Sequence, residues 1–523
     1  MLNLRKSIWL VSMAQSKERN TFIMMITTFI SRLLGILKAR AISSFFGAGL
    51  IADAINFSYN IPNNLRKLFA EGALSQAYLP IFSKLKDDDE NTSSFLGALF
   101  TFQLIIFIPL IVLSFIFSKP FITLLSGFND ENQIVIAANL LPFFLTFLFF
   151  ISLSTLLSTV LQTRKAFLIT GIGPIFFTLT VILSIYLFTN KLSYYSMALG
   201  CTAGSIIQMV SQAIVVRKRK IKLKLSNPLK SKWFILTLKA FIPATLYSFI
   251  LILDQYLSFY IASMLESGAV SAISNSIIFY QTPYGIFFAS ISTVFFPLIA
   301  GEKDDEIKAK YLNNSLTYLV SFLLPSAIIL LTLSEQCISA VLQKGRFTYL
   351  DTVLTAKVLK WYLFSMIPLA FSSMLSRYCY SKNDYSYPVI VSLVQAILDV
   401  SLMFIFVKLN IGAESISLAL LISSTIAVLI YLPKIKLFNY PKFFKEIVRI
   451  VAANIPLILA AGIIFNLKLT YHVNGSNLKA FCITVSLGIL LVCITLIFYI
   501  IFKIPFLSLL KNGAEKSAPS KVN

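Results

Sequence analysis

Histidine, cysteine and acidic residues are scarce in this chain of 523 residues, and their scarcity excludes several kinds of site. The one histidine, His472, cannot build a histidine metal site or a catalytic triad. The five cysteines are scattered, mostly within apolar runs, and show no CxxC or metal-ligand spacing. They are therefore predicted to be small hydrophobic residues.

Charged residues are also few, at 13% of the chain, against roughly 25% in soluble proteins. Hydrophobic residues make up 57% of the chain, and apolar runs of about 20 residues, enough to cross a bilayer, recur from end to end. Lipid offers no hydrogen-bond partners to backbone N–H and C=O groups, and helices satisfy these groups internally. We therefore predict an all-α polytopic membrane protein. About fourteen spans are expected, centred near residues 30, 58, 105, 147, 178, 204, 247, 285, 323, 366, 397, 423, 456 and 490.

The surplus of basic residues, a formal net charge of +23, is concentrated in one set of connections between the apolar runs. This set includes RKRKIKLKLSNPLKSK (217–232) and PKIKLFNYPKFFKE (433–446), whereas FFGAGL and SGFNDENQ contain no lysine or arginine. Because lysine and arginine accumulate in cytoplasmic loops, both termini are predicted to be cytoplasmic. The charge then sets topology and contacts anionic lipid, and no nucleic-acid partner is expected.

The chain also contains an internal repeat. YLPIFSKLKDDDE (78–90) corresponds to FFPLIAGEKDDE (295–306), and Pro62 corresponds to Pro283. Both copies begin on the cytoplasmic side, which predicts two six-helix lobes related by a parallel repeat, with two extra C-terminal helices. The predicted divisions are an N-terminal lobe at 1–217, a basic linker at 218–232, a C-terminal lobe at 233–433, a second basic linker at 434–445, and spans thirteen and fourteen with a cytoplasmic tail at 446–523.

Polar residues occur along the second span, where apolar ones are expected. Spacings of 3, 4, 4, 3 and 4 residues place six of them on one helix face: Asp53, Asn56, Asn60, Asn64, Lys67 and Glu71. Asn63 and Arg66 lie just beside this face, and the first span adds Arg32, Lys38 and Arg40. Ionisable groups are costly at bilayer depth, so such a face must line an aqueous cavity or a helix interface.

Two interpretations of this face differ in function. In one, it is an internal ion-pair network, with Lys67 and Glu71 as i,i+4 partners. In the other, it lines a cationic cavity for an anionic substrate, since the stripe is long and Arg32 and Arg66 add basic charge. Arginine and lysine together suit a phosphate or diphosphate, through forked hydrogen bonds and a point charge respectively.

The predicted second lobe instead contains carboxylates with no lysine or arginine at the same depth. Asp254 lies in span seven, and Gln395 and Asp399 lie at i,i+4 in span eleven. Such carboxylates either are protonated and packed or bind a hard cation, which would mean coupling to Na⁺ or protons. At the cytoplasmic end of span ten, Arg377 and the turn residue Asp384 are candidates for gating.

Three segments together resemble the MurJ (MviN) family of lipid II flippases, within the multidrug/oligosaccharidyl-lipid/polysaccharide exporter superfamily. They are SRLLGILKARAISSFFGAGLIADAI (31–55), NIPNNLRKLFAEGALSQAYLPIF (60–82) and CYSKNDYSYP (379–388). The resemblance implies a transporter rather than an enzyme. Such a transporter would move undecaprenyl-diphosphate-linked disaccharide pentapeptide from the inner to the outer leaflet of the bacterial cytoplasmic membrane. It would do so by alternating access, and the transported lipid would serve cell-wall synthesis.

The resemblance also implies roles for individual residues. The family's cavity residues match Arg32, Lys38, Asp53, Arg66 and Glu71, and Asn63 falls at the family's proline-asparagine. With Lys67 from the polar stripe, these form the predicted substrate-binding set. Spans thirteen and fourteen would house the polyprenyl tail, and Asp254, Gln395 and Asp399 fall where some members bind Na⁺. The implied partners are lipid II, membrane lipids and cell-wall synthesis proteins.

The chain departs from the family pattern at two places. Ile277 and Ile278 replace an acid–arginine pair of span eight, and Thr178 replaces a frequent asparagine of span five. Either the cations of the first two spans suffice to bind the diphosphate, or Lys239 or Arg377 substitutes for the missing arginine.

The alternative functions are export of other polyprenyl-linked oligosaccharides and, from another class, a membrane-embedded polyprenyl glycosyltransferase or ligase. An enzyme of that kind needs convergent acids or histidines, usually with a metal.

Overall fold

A computed structural model describes residues 27, 30–67, 78, 81–85, 88–164, 166–221, 223–435, 438–466 and 478–504, without the side chains of 239–248, 466 and 478. Helix α1 spans 30–46, and thirteen further long helices follow it in this described part of the chain. They are α2 (Leu50–Arg66), α3 (Asp89–Leu125), α4 (Glu131–Thr163), α5 (Phe167–Leu192), α6 (Tyr195–Lys218), α7 (Lys232–Ser263), α8 (Ala269–Gly301), α9 (Asp305–Thr332), α10 (Tyr349–Ser381), α11 (Ser386–Lys408), α12 (Glu414–Tyr431), α13 (Tyr440–Asn466) and α14 (Leu478–Ile501). A short helix, Ser334–Leu342, precedes α10.

Within the described residues, eleven helices are long and apolar enough to cross a membrane. They coincide with predicted spans three to six and eight to fourteen, and α1, α2 and α7 lie at the positions of the other three. The predicted all-α polytopic class is therefore confirmed.

The ends and bends of these helices follow from local chemistry. The backbone N–H groups in the first turn of a helix lack hydrogen-bond partners within the helix. The side chains of Asp88, Asp130 and Asp304 accept hydrogen bonds from these groups at the starts of α3, α4 and α9. In α3, Phe117 leaves helical geometry three residues before Pro120. Proline removes a backbone hydrogen bond and its ring crowds the preceding turn, which accounts for the kink.

The chain divides into two compact units, Met1–Val270 and Ser271–Asn523. Helix α7 falls in the first unit, although the internal repeat places it at the start of the second lobe. The lobe and linker boundaries derived from the repeat remain a prediction.

Each unit has its own buried apolar cluster. The first includes Phe82, Phe95 and Leu156, and the second includes Leu319 and Met374. Large apolar side chains also cover the outside: Ile116 is 65% exposed, Leu124 76% and Leu187 66%. An apolar exterior of this kind suits helices whose solvent is lipid.

Candidate functional site

A cavity of about 480 Å³ lies within the first unit. Three of the predicted cations line it together, Arg32 and Lys38 from α1 and Arg66 from α2. The rest of its lining comes mainly from α4, α5 and α6, and includes Phe147, Thr155, Ser158, Thr170, Phe177, Thr178 and Gln208. The cavity is large enough for part of a ligand and supplies it with positive charge.

Aromatic rings support the ammonium group of Lys38. Its Nζ lies 5.1 Å from the ring centre of Tyr59 and 6.0 Å from that of Phe177, and it donates to the Tyr59 hydroxyl at 3.4 Å. Phe147 lies between these rings, stacked on Tyr59 at 5.9 Å and on Phe177 at 5.3 Å. Ring faces attract a cation without forming an ion pair with it, so the ammonium group of Lys38 can still contact an anionic ligand.

Asn63 holds the guanidinium group of Arg66. Arg66 Nε donates to Asn63 Oδ1 at 3.2 Å, across three residues of α2. Asn63 is not among the residues that line the cavity. Its geometry makes it a residue that positions Arg66.

The polar stripe of α2 lies beside the face of the helix that lines the cavity. Asn64 is 2% exposed, Asn60 Nδ2 donates to the Asn56 carbonyl at 2.8 Å, and Lys67 donates to Gln255 of α7. The cavity is lined instead by Tyr59 and Arg66. Consecutive helical residues point about 100° apart, so the cavity meets the face next to the stripe, and the part of the stripe in substrate binding stays a prediction.

Asp53 lies elsewhere, about 20 Å along the helix from Arg66. It lines a smaller cavity of about 130 Å³ with Asp130, Gln133, Ser263 and Ser267. Its Oδ2 accepts the Gly268 backbone N–H at 2.6 Å, and the residue is 2% exposed. Asp53 is thus separated from Arg66, and its predicted part in substrate binding stays a prediction. Glu71 and the side chain of Lys239 lie outside the described residues.

The predicted cation-binding residues are divided between the units. Asp254 lies on α7 in the first unit and is half-buried. Asp399 lies on α11 in the second unit and is 1% exposed, and its Oδ1 accepts a hydrogen bond from Ser423 Oγ at 3.0 Å. Gln395 lies one turn before it and is half-buried. No group of three histidine, cysteine or acidic residues suited to a metal occurs in the part of the chain that the structure describes. The Na⁺ site remains a prediction.

The two gating candidates occupy different surroundings in the second unit. The Arg377 guanidinium lies 5.3 Å and 5.6 Å from the ring centres of Phe288 and Phe296 of α8. Asp384 forms a 2.8 Å ion pair with Lys434 and accepts the Tyr387 N–H at 3.2 Å. These contacts, first the hydrogen bond from Lys434, lower the pKa of the Asp384 carboxyl. The turn predicted at Asp384 is confirmed, and gating remains a prediction.

Sequence reasoning missed several cavity residues, including Tyr59, Thr155 and Gln208. The pair Gln208 and Gln212, at i,i+4 in an apolar span, was a signal of the kind used for the stripe of α2. Thr155 and Tyr59 carried no such signal, because threonine and tyrosine are ordinary residues of membrane helices.

A model of the family described as "Lipid II flippase MurJ" matches residues 42–486. The chain belongs to the MurJ family. Among its relatives, the "Probable lipid II flippase MurJ" of Borreliella burgdorferi is 32% identical over 416 residues, which cover 79% of this chain and 82% of that protein. The family resemblance drawn from the sequence motifs is therefore confirmed.

Solved structures agree with this membership. A lipid II flippase MurJ in an inward closed conformation matches with a TM-score of 0.75 and 26% identity, over 92% of this chain and 98% of that one. An inward-facing multidrug resistance MATE transporter of the MOP superfamily matches with a TM-score of 0.65 at 12% identity, over 82% and 98% of the two chains. The latter similarity concerns the fold alone.

Proposed function

We propose that this chain is a lipid II flippase, which moves undecaprenyl-diphosphate-linked disaccharide pentapeptide from the inner to the outer leaflet of the bacterial cytoplasmic membrane. Membership of the MurJ family supports the substrate and transport rather than enzymatic chemistry. The observation that carries the proposal is the cavity in which Arg32, Lys38 and Arg66 meet.

The chemistry of these three side chains suits a diphosphate. Guanidinium groups donate paired hydrogen bonds to phosphate oxygens, and an ammonium group adds a compact charge. Asn63 positions Arg66, and the rings of Tyr59 and Phe177 hold Lys38. The headgroup enters this cavity while the polyprenyl tail stays in lipid along α13 and α14, and alternating access then opens the cavity to the outer side.

Orientation, coupling and partners belong to the same proposal. The basic loops support cytoplasmic termini and contact with anionic lipids. Buried Asp399 beside Ser423 supports coupling to Na⁺ or protons, and the membrane potential acting on the cavity charges is a further source of energy. Cell-wall synthesis proteins are the expected protein partners.

A complementation experiment tests the proposal. Cells depleted of their own flippase receive this chain or its Arg66→Ala variant, and growth and lipid II accumulation are measured. We expect the wild-type chain to support growth and Arg66→Ala to lower flipping by about 100-fold, since a lost charged hydrogen-bond partner costs about 1.5–3 kcal/mol and the loss of charge adds to it.

Arg40→Ala is the matched control, because Arg40 is also a basic residue of the first two helices but does not line the cavity. It is expected to support growth. Growth at the wild-type rate with both Arg32→Ala and Arg66→Ala would contradict the cationic cavity. Accumulation of a precursor that precedes lipid II would point to an enzyme instead.

A further inference from the structure

The cavity of the first unit also has a neutral polar lining, which the binding of a diphosphate does not explain. Its members Thr155, Thr170, Thr178 and Gln208 come from α4, α5 and α6, whereas the cations come from α1 and α2. We call these four residues the neutral wall. Thr170 and Thr178 are each 7% exposed and Gln208 is 6% exposed, so their polar atoms have little access to bulk water.

The threonines of the neutral wall already use their hydroxyl protons. Each donates to a backbone carbonyl of its own helix. The bonds run from Thr155 to Ile151 at 3.0 Å, from Thr170 to Phe167 at 2.8 Å, and from Thr178 to Pro174 at 2.9 Å. A hydroxyl has one proton and two lone pairs, so these oxygens can meet a ligand only as acceptors.

Gln208 adds an amide to this wall. Its Oε1 is buried, and within the described residues no hydrogen-bond donor reaches it. Gly173 of α5 packs against the side chain, since a Cβ there would lie 3.1 Å from Gln208 Cγ. Buried amide oxygens nearly always have a donor, and rotation of the Gln208 side chain toward the cavity would let a ligand supply the missing one.

The cavity thus offers two kinds of lining. Arginine and lysine can only donate hydrogen bonds, which suits phosphate oxygens, whereas the neutral wall mainly accepts them. We infer that the neutral wall, with Gln208 and Thr178 as its principal members, recognises hydroxyl and acetamido N–H donors of the sugar carried by the diphosphate. This inference rests on the proposed function and assigns specificity-determining residues within the same cavity.

The test compares two ligands that differ in the sugar–peptide headgroup. The full-length chain is placed in lipid nanodiscs, and its affinity is measured for lipid II and for undecaprenyl diphosphate, which has no sugar. The wild-type chain should prefer lipid II. Gln208→Met and Thr178→Val should each weaken lipid II binding by about three- to tenfold, the usual effect of one lost hydrogen bond, and leave undecaprenyl diphosphate binding unchanged.

Two matched controls lie on the same helices. Thr180 of α5 also donates to a carbonyl one turn back, that of Phe176 at 2.8 Å, and Gln212 of α6 accepts Ser154 Oγ at 2.8 Å. Neither lines the cavity, so Thr180→Val and Gln212→Met should keep the wild-type preference. Unchanged binding of undecaprenyl diphosphate shows that a variant is folded. If Gln208→Met does not fold, the lipid II affinity of Thr178→Val alone tests whether the neutral wall recognises the sugar.

The outcomes separate the inference from the proposed function. If Gln208→Met and Thr178→Val leave the preference for lipid II intact, or weaken both ligands equally, the inference is overturned. Arg66→Ala should weaken both ligands together. If the wild-type chain binds neither ligand, or Arg66→Ala binds both as tightly as the wild type, the proposed function itself is contradicted.

Discussion

Asp53 places a carboxyl group in a nearly fully buried position, and its location at the start of α2 makes this tolerable. The carboxylate accepts the Gly268 N–H, and the N-terminal end of a helix favours a negative charge. The bond ties α2 to the loop that follows α7. Asp53 is therefore suited to holding these two segments together.

Removal of this carboxylate should release the loop. In Asp53→Ala the Gly268 N–H loses its acceptor, which costs about 1–3 kcal/mol when the group stays buried. Hydrogen exchange of the Gly268 amide should become roughly 10-fold faster or more, as expected for that loss. Asp88→Ala, which removes an exposed cap at the start of α3, should leave this exchange unchanged. Unaltered exchange in Asp53→Ala would show that the bond does not hold the loop.

Among the helices, α3 shows how closely the basic segment after α6 is packed. Gly97 faces the backbone of Lys224, and a Cβ at Gly97 would overlap the Lys224 carbonyl. Ser226 Oγ also donates to the Ser94 carbonyl at 2.7 Å. Lys224 and Ser226 thus anchor the basic segment after α6 to α3 near Gly97, although its composition alone suggested only a charged linker.

Gly97→Ala should therefore destabilise the protein. The backbone of Lys224 must move to admit the methyl group, at a cost of about 1–3 kcal/mol. Gly462 of α13 has no atom within 4 Å of the corresponding position, and alanine is the better helix former there. Thermal unfolding in detergent should show a lower midpoint for Gly97→Ala and an equal or higher one for Gly462→Ala. Equal unfolding midpoints for Gly97→Ala and the wild type would mean that the backbone around Lys224 moves aside at no cost in stability.

At the scale of the whole molecule, the sequence predicted most of the fold and part of the site. Span positions were predictable because the bilayer dictates both helix length and apolar composition. Arg32, Lys38 and Arg66 were predictable because charges at bilayer depth need a cavity or a partner. The cavity-facing side of α2 was not, since periodicity defines a face but not the neighbours it meets. Thr155 acquires its role only from packing among α4, α5 and α6, whereas Gln208 carried a signal in its i,i+4 spacing from Gln212.

We propose that this chain moves lipid II across a bilayer through a cavity whose cations hold the diphosphate. The direct measurement uses the purified full-length chain in liposomes with fluorescent lipid II in both leaflets, and a quencher that cannot cross the membrane. Wild-type protein should expose the inner-leaflet label to the quencher, and Arg66→Ala should leave that label protected. A protected inner leaflet with the wild-type chain, or equally fast exposure with Arg66→Ala, would contradict the account.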